Sequence, residues 1–216
     1  MTIRTKDALI MQVDQQLIWR RKELTEIRTL IEGCHTNCSK QRTLIRAGVA
    51  LLYAHWEGFV KISGTYLLEY ISEQRCIHAD LNSNILSIIL RKQMNTAMNS
   101  KKTSVTGEFI EFFCTKMQAR ARLSTKNVVD TGSNLSSSIL HEILWMLGLD
   151  KTDYVTKKVL IDEKLVRQRN CIAHGEPLDI SVEDYLELYD EVQILLEIFR
   201  TQIQNACVNS TFLRVK

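Results

Sequence analysis

Proline and glycine are scarce: the 216-residue chain has one proline, Pro177, and eight glycines. Folds rich in β-structure need many turn residues, so this scarcity excludes a sandwich or barrel and favours long helices joined by few loops. Long hydrophobic runs are also missing. The longest, Val49 to Ala54, falls far short of the roughly 20 residues a membrane-spanning helix requires. The opening stretch MTIRTKDALIMQVDQQ carries charge throughout and lacks the basic-then-apolar pattern of a leader. Six cysteines, at 34, 38, 76, 114, 171 and 207, are scattered through a chain long enough to bury a core without disulfide staples. A soluble, reduced, cytoplasmic protein with no membrane segment is the expectation.

What is present is helical spacing nearly everywhere. A first helix is expected from about Lys6 to Ile31, with Leu9, Ile10, Val13, Leu17, Leu24, Ile27 and Ile31 roughly on one stripe and Gly33 ending it. A second runs from near Ser39 to about Gln74, with Gly64 as a weak point. Shorter helices are expected at about 84–98, 108–121 and 136–147, and KNVVDTGSN reads as the most exposed loop. A further helix spans about Thr156 to Ala173, and the last opens at Ser181 with Ser-Val-Glu-Asp, a variant of the capping box, and continues to about Ala206. Nothing repeats and nothing resembles a linker, so the fold class expected is all-α: a single-domain bundle of long helices over residues 1–216.

Charge is unevenly distributed. Residues 91–126 carry eight Lys/Arg against Glu108 and Glu111, whereas residues 176–200 carry eight Asp/Glu against Arg200 alone. The basic segment reads either as a phosphate-contact surface or as a solvated helix face.

Three clusters carry potential chemistry. Cys34, His35 and Cys38, with Cys76 and His78, are soft ligands of the kind zinc takes. One straight helix of about 36 residues would hold the two groups roughly 54 Å apart, so no metal is expected. The second cluster is Tyr53-Ala-His55-Trp-Glu57-Gly-Phe59-Val60-Lys61 within the long helix. His55 and Glu57 are two apart and point to different faces, so only one readily faces inward with Trp56. A carboxylate among so many apolar residues calls for a partner if it is buried. The expectation is that Glu57 pairs with Arg169 or His174, with His55 as the alternative supporting residue.

The third cluster is RQRNCIAHGEP, Arg167 to Pro177. As a plain helix end, its arginines and histidine complement the negative helix terminus and Gly175 caps it. As a site, it combines a histidine, which exchanges a proton near neutral pH, with an arginine whose planar fork holds a phosphate. Residues five apart differ by about 140° around a helix, so Arg169 and His174 do not stack. Asn170 and His174 do, and Arg167 lies on their side. The spacing leaves open which of Arg167 and Arg169 is the working arginine.

Arg169-Asn170-Cys-Ile-Ala173-His174-Gly175 resembles the RNxxAHG motif of the HEPN superfamily, whose mark is an arginine, four to six residues and a histidine. YAHWEGFVK upstream and SNLSSSILHEILWMLGL at 133–149 extend the resemblance from about residue 40 to the end and point to the MAE-type HEPN-like nuclease branch. The resemblance implies a metal-independent endoribonuclease that needs no cofactor and works as a homodimer on RNA. It further implies a toxin or effector of a prokaryotic toxin–antitoxin or antiviral defence system, with a cognate antitoxin or defence protein as partner. Arg169, His174 and Asn170 would be the catalytic set. Arg167, Glu57 and His55 would support it. A non-catalytic HEPN module that binds nucleotide or protein is the second expectation.

Overall fold

The computed structural model describes residues 3–35 and 38–214, and among these every regular element is helical. Helix α1 spans Lys6–Glu32 and α2 Ser39–Glu73; α3 covers Ser83–Asn99, α4 Thr103–Thr115, α5 Ser137–Leu147 and α6 Thr152–Val155. A π-helical segment, Leu160–Arg167, runs directly into α7, Gln168–Ala173, and α8, Val182–Asn209, completes the fold. The all-α expectation is met.

Local chemistry sets the boundaries. Thr5 caps α1 by accepting from the Ala8 amide at 3.2 Å, and Ser181 caps α8 by accepting from the Asp184 amide at 3.0 Å. The Cys38 thiol takes the same position for α2, accepting from the Gln41 amide at 3.2 Å. Gly148 ends α5 in the left-handed conformation, φ 69°, which glycine adopts without steric penalty.

The long helices α1, α2 and α8 pack together along their buried stripes. Leu9, Val13, Leu17, Leu24 and Ile31 of α1 meet Trp56, Phe59 and Val60 of α2 and Val192, Leu195, Leu196 and Phe199 of α8 in one cluster. Phe199 sets its ring edge-on to both Trp56 and Phe59, each with centroids 6.2 Å away, an arrangement aromatic quadrupoles favour. A Cβ at Gly48 would come within 2.7 Å of the Tyr185 ring, so the glycine lets α8 approach α2. Gly64 is not a weak point: α2 is unbroken, and a Cβ there would press Leu147 and Val129 at 3.0 and 3.3 Å. The uninterrupted helix also keeps Cys34 and Cys38 at one end and Cys76 and His78 at the other.

Charge knits the same helices. Arg21 pairs with Glu197 at 2.8 Å, Arg28 with Asp190 at 3.2 Å, Arg200 with Asp14 at 2.6 Å and Lys157 with Glu191 at 2.6 Å. Half of the eight carboxylates at 176–200, Glu187, Asp190, Glu191 and Glu197, are thus partners for α1 and its neighbours. The helix expected at 108–121 forms earlier, as α4, because the chain after Thr115 turns back so that the Ala79 and His78 amides reach the Met117 and Ala119 carbonyls at 2.9 and 3.1 Å. No helix among the described residues is long and apolar enough to cross a membrane.

Candidate functional site

The motif helix does not keep one continuous α-helical phase. The π segment replaces i→i+4 by i→i+5 hydrogen bonding, so each of its turns takes up an extra residue. This rotates α7 relative to Leu160, Ile161 and Leu165, which anchor the segment in the core. α7 itself buries no residue fully. Its phase puts Arg169 against α2 and leaves Arg167 outside, where Arg167 pairs with Glu163 at 3.0 Å. The spacing argument, built on an ideal α-helix, gave the two arginines no distinct surroundings; in the structure Arg167 pairs with a carboxylate and Arg169 lies against α2.

Arg169 lies with its guanidinium carbon 4.1 Å from the centroid of the Tyr53 ring, the geometry of a cation–π contact. Its Nη2 donates to the Ser133 carbonyl at 2.5 Å and to Asn134 Oδ1 at 2.8 Å. Its Nε is buried without an acceptor, and among the described residues no carboxylate forms an ion pair with it. Tyr53 is fixed in turn: its hydroxyl accepts from the Leu135 amide at 2.7 Å. Burial raises the Tyr53 phenol above its ordinary pKa, against the opposing pull of the Leu135 amide and Arg169. The Tyr53 ring is therefore a neutral platform at ordinary pH.

The loop that supplies these acceptors is exposed over much of its length, as expected from KNVVDTGSN, but it is anchored from within. Val129 and Thr131 are buried, as is Leu135 just beyond, because the loop fills the space between α2 and α5. Asp130 Oδ1 accepts from the Gly132 amide at 2.9 Å. At the start of α5 the Ser137 amide and hydroxyl donate to the two Asp162 oxygens at 2.7 and 2.6 Å, tying α5 to the π segment. A cleft of about 600 Å³ results, with Tyr53, Glu57 and Lys61 on one wall, Asp130 and Ser133 on another and Arg169 between them.

Glu57 faces this cleft, four residues from Tyr53 on the same side of α2, but makes no ion pair with Arg169 or His174. The expected pairing is corrected: the Arg169 guanidinium already holds two oxygens and a ring, and the half-exposed Glu57 carboxylate is open to solvent. His55 does not join the site. It is buried on the opposite side of α2, with Nε2 2.8 Å from Glu23 Oε2 and its ring 5.1 Å from that of Trp19 on α1. The two-residue separation divides His55 and Glu57 as expected.

His174 is the C-cap of α7 and its side chain is exposed. Gly175 comes next with φ 74°; the Gly175 amide donates to Ile172 O at 3.1 Å and the Glu176 amide to Cys171 O at 2.8 Å. This closure is the glycine-terminated helix end that the sequence indicates. Asn170 is half-buried, with no side-chain hydrogen bond among the described residues. One chain therefore brings Arg169 and Glu57 into the cleft, while His174 stands at its outer end beside Ala173, which lines it.

Sequence reasoning assigned no role to Tyr53, although it opens the second cluster, nor to Asn134 or Asp162. The four-residue step from Tyr53 to Glu57 was the available signal for Tyr53. Asn134 and Asp162 act through tertiary contacts with no local signature.

A family model described as HEPN_MAE_28990-like HEPN matches residues 10–212. No curated protein and no solved structure gives a significant match.

Proposed function

The chain belongs to the MAE_28990-like HEPN family, a membership that suggests a nuclease or nucleotide-binding module, and from that premise we propose that it is a metal-independent endoribonuclease. The observation that carries this reading is Arg169: a guanidinium with no carboxylate partner among the described residues, oriented on Tyr53 at the wall of an open cleft. Such a group suits a phosphate, which supplies the missing negative charge.

RNA brings its own nucleophile. In the proposed reaction the ribose 2′-hydroxyl loses its proton to a base and attacks the adjacent phosphorus. The P–O5′ bond breaks, and the leaving 5′-oxygen takes a proton from an acid. The products are a 2′,3′-cyclic phosphate and a 5′-hydroxyl. His174 exchanges the proton, and Arg169 stabilises charge gathering on the phosphoryl oxygens. Asn170, stacked below His174 by its four-residue spacing, orients phosphate or imidazole. Glu57 borders the same cleft, and Arg167 lies near enough in sequence to meet a flanking phosphate.

One cleft with one exposed histidine is a thin site for a reaction that needs an acid, a base and anion stabilisation together. We infer that two chains related by a two-fold axis set their motif ends face to face and contribute a histidine each. A toxin or effector role in prokaryotic defence or toxin–antitoxin systems, with a protein partner that restrains it, fits a ribonuclease of this kind.

The test is incubation of the purified chain with total RNA in EDTA. The parent protein should cut, and His174→Ala should lower cleavage by about a hundredfold or more without altering the helical circular dichroism. Specific activity per chain should fall on dilution over the range in which sedimentation shows monomer appearing. The exposure of His174 outside the cleft favours a second reading, a non-catalytic nucleotide-binding HEPN module. Tight nucleotide binding without any cleavage would select it.

A further inference from the structure

A second concavity, about 1010 Å³, lies between α3 and α5. Its walls carry Arg91 and Lys92, the amides of Asn95 and Asn127, and two large apolar side chains, Met98 and Trp145. Trp145 is 51% exposed and Met98 80% exposed. An indole left open beside two cations is an arrangement that the core does not need, because α5 already buries Leu140, Ile143, Leu144 and Leu147. Asn84 Nδ2 donates to the Trp145 carbonyl, which ties α3 to the end of α5 and fixes the groove.

The charge around it differs from that of the rest of the molecule. All eight Lys/Arg between 91 and 126 are exposed, and none makes an ion pair among the described residues. Four carboxylates of α8, Glu187, Asp190, Glu191 and Glu197, are held in ion pairs, whereas this basic stretch has no ion-pair partner among the described residues, and Glu142 is the one carboxylate among the residues lining the groove. Lys101 and Lys126 directly adjoin Ser100 and Asn127, which line the groove. A homodimer core would be poor in charge and in amides; this surface is rich in both.

The groove also adjoins the Arg169 cleft. Val128 lines the first and Asp130 lines the second, and two residues of chain span at most about 7 Å. The loop that presents Ser133 and Asn134 to Arg169 is thus the partition between the two.

We propose that the α3–α5 groove binds single-stranded RNA, with Trp145 stacking on an unpaired base and Arg91 and Lys92 holding flanking phosphates, and that it leads the strand over the 127–134 loop into the Arg169 cleft. Base stacking on an exposed aromatic ring with cations along the backbone is how sequence-tolerant single-strand binders work. The choice of RNA rests on the ribonuclease reading; the groove and its charge do not.

The experiment uses the full chain carrying His174→Ala, so that the probe survives, and a fluorescein-labelled single-stranded RNA of about 12 nucleotides, with anisotropy as the readout. Adding Trp145→Ala should weaken binding about tenfold or more, while Trp145→Phe keeps most of it. Arg91→Ala with Lys92→Ala should flatten the dependence of log affinity on log salt by about 0.7 for each phosphate the variant no longer neutralises. Trp19→Ala, at the other exposed tryptophan, should change neither. A fully paired RNA of the same length should bind more weakly, since it offers no free base. Unchanged affinity in Trp145→Ala overturns the proposal, as does an unchanged salt slope in the double variant. A shift of the sedimenting species toward monomer in Trp145→Ala would also overturn it, because the face would then belong to a second copy of the chain. The catalytic reading fails separately: if the chain with His174 intact cuts nothing while Trp145→Ala loses the probe, the subsite stands without the ribonuclease.

Discussion

Two arginines flank the same stretch of α2, and their surroundings share a recipe. Arg20 packs its guanidinium carbon 4.3 Å from the centroid of the Trp19 ring and donates from Nη1 to the Gln16 carbonyl and Oε1 at 2.9 and 2.6 Å. Arg169 packs over Tyr53 at 4.1 Å and donates to a carbonyl and an amide oxygen. Neither has an ion pair among the described residues, and both bury an unpartnered Nε. The difference is access. Arg20 is 6% exposed and sealed between α1 and α2, and burial lowers its pKa to about 10. Arg169 opens onto a cleft that an anion can enter. An arginine on an aromatic ring is therefore not in itself a site; access for a counter-charge from solvent is what sets Arg169 apart in the proposed function.

The sharpest way to break this comparison is to remove both charges in parallel. Arg169→Met should lower RNA cleavage by about a hundredfold or more, because a donor aimed at developing charge is lost. Its melting temperature should change little, since α7 buries no residue fully. Arg20→Met should keep cleavage, and should leave the melting temperature unchanged or raise it, because an apolar side chain of similar volume replaces a buried charge without an ionic partner. Loss of cleavage in Arg20→Met, with the fold intact by circular dichroism, would show that the α1 side of α2 takes part in the chemistry.

Much of this contrast is readable before the structure. The apolar stripes of α1, α2 and α8 have helical periodicity, Thr5 and Ser181 cap the starts of α1 and α8, and Gly175 closes α7, so helix positions follow from local rules. The motif is local as well, and so is the separation of His55 from Glu57. What was not legible depends on the third dimension. The π segment at Leu160–Arg167 has no signal in periodicity, yet its phase sends Arg169 rather than Arg167 inward. Arg20 reads as one cation among many on α1, and only packing reveals its burial. The loop at 126–134 looks exposed from its Asn, Asp, Gly and Ser content, but Val129 and Thr131 anchor it because the gap between α2 and α5 needs filling.

A smaller effect should appear in pH dependence, and it belongs to the sealed side alone. Burial lowers the His55 pKa below its ordinary 6.5, with nearby Arg20 adding to this and Glu23 opposing it. The groups facing the imidazole are Glu23, Arg20 and the Trp19 ring. Since the folded-state pKa lies below the unfolded one, the unfolded chain binds the proton more readily. Stability is then full above the unfolded pKa and is lost as pH falls below about 6.5 toward the folded value. Melting temperatures measured from about pH 7.5 down to pH 5 should decline in the parent, and more shallowly in His55→Gln. Parallel curves for the two proteins would remove His55 as the source.

The smallest effect is expected at Arg167, the motif arginine that already has its counter-ion. Its side chain is 74% exposed and bonds to Glu163 one turn back at 3.0 Å, and exposed pairs of this kind contribute little to stability. Arg167→Ala should leave the melting temperature within error and weaken RNA binding more than turnover, since it lies outside the cleft that holds Arg169. A flanking phosphate drawn to Arg167 must compete with Glu163, and salt screens that contest. The defect should therefore show as a raised KM at low ionic strength that shrinks as salt is added, with kcat nearly constant. Equal losses of kcat in Arg167→Ala and Arg169→Met would break the distinction between the paired and the unpaired arginine, and would make both members of the motif reach the phosphate.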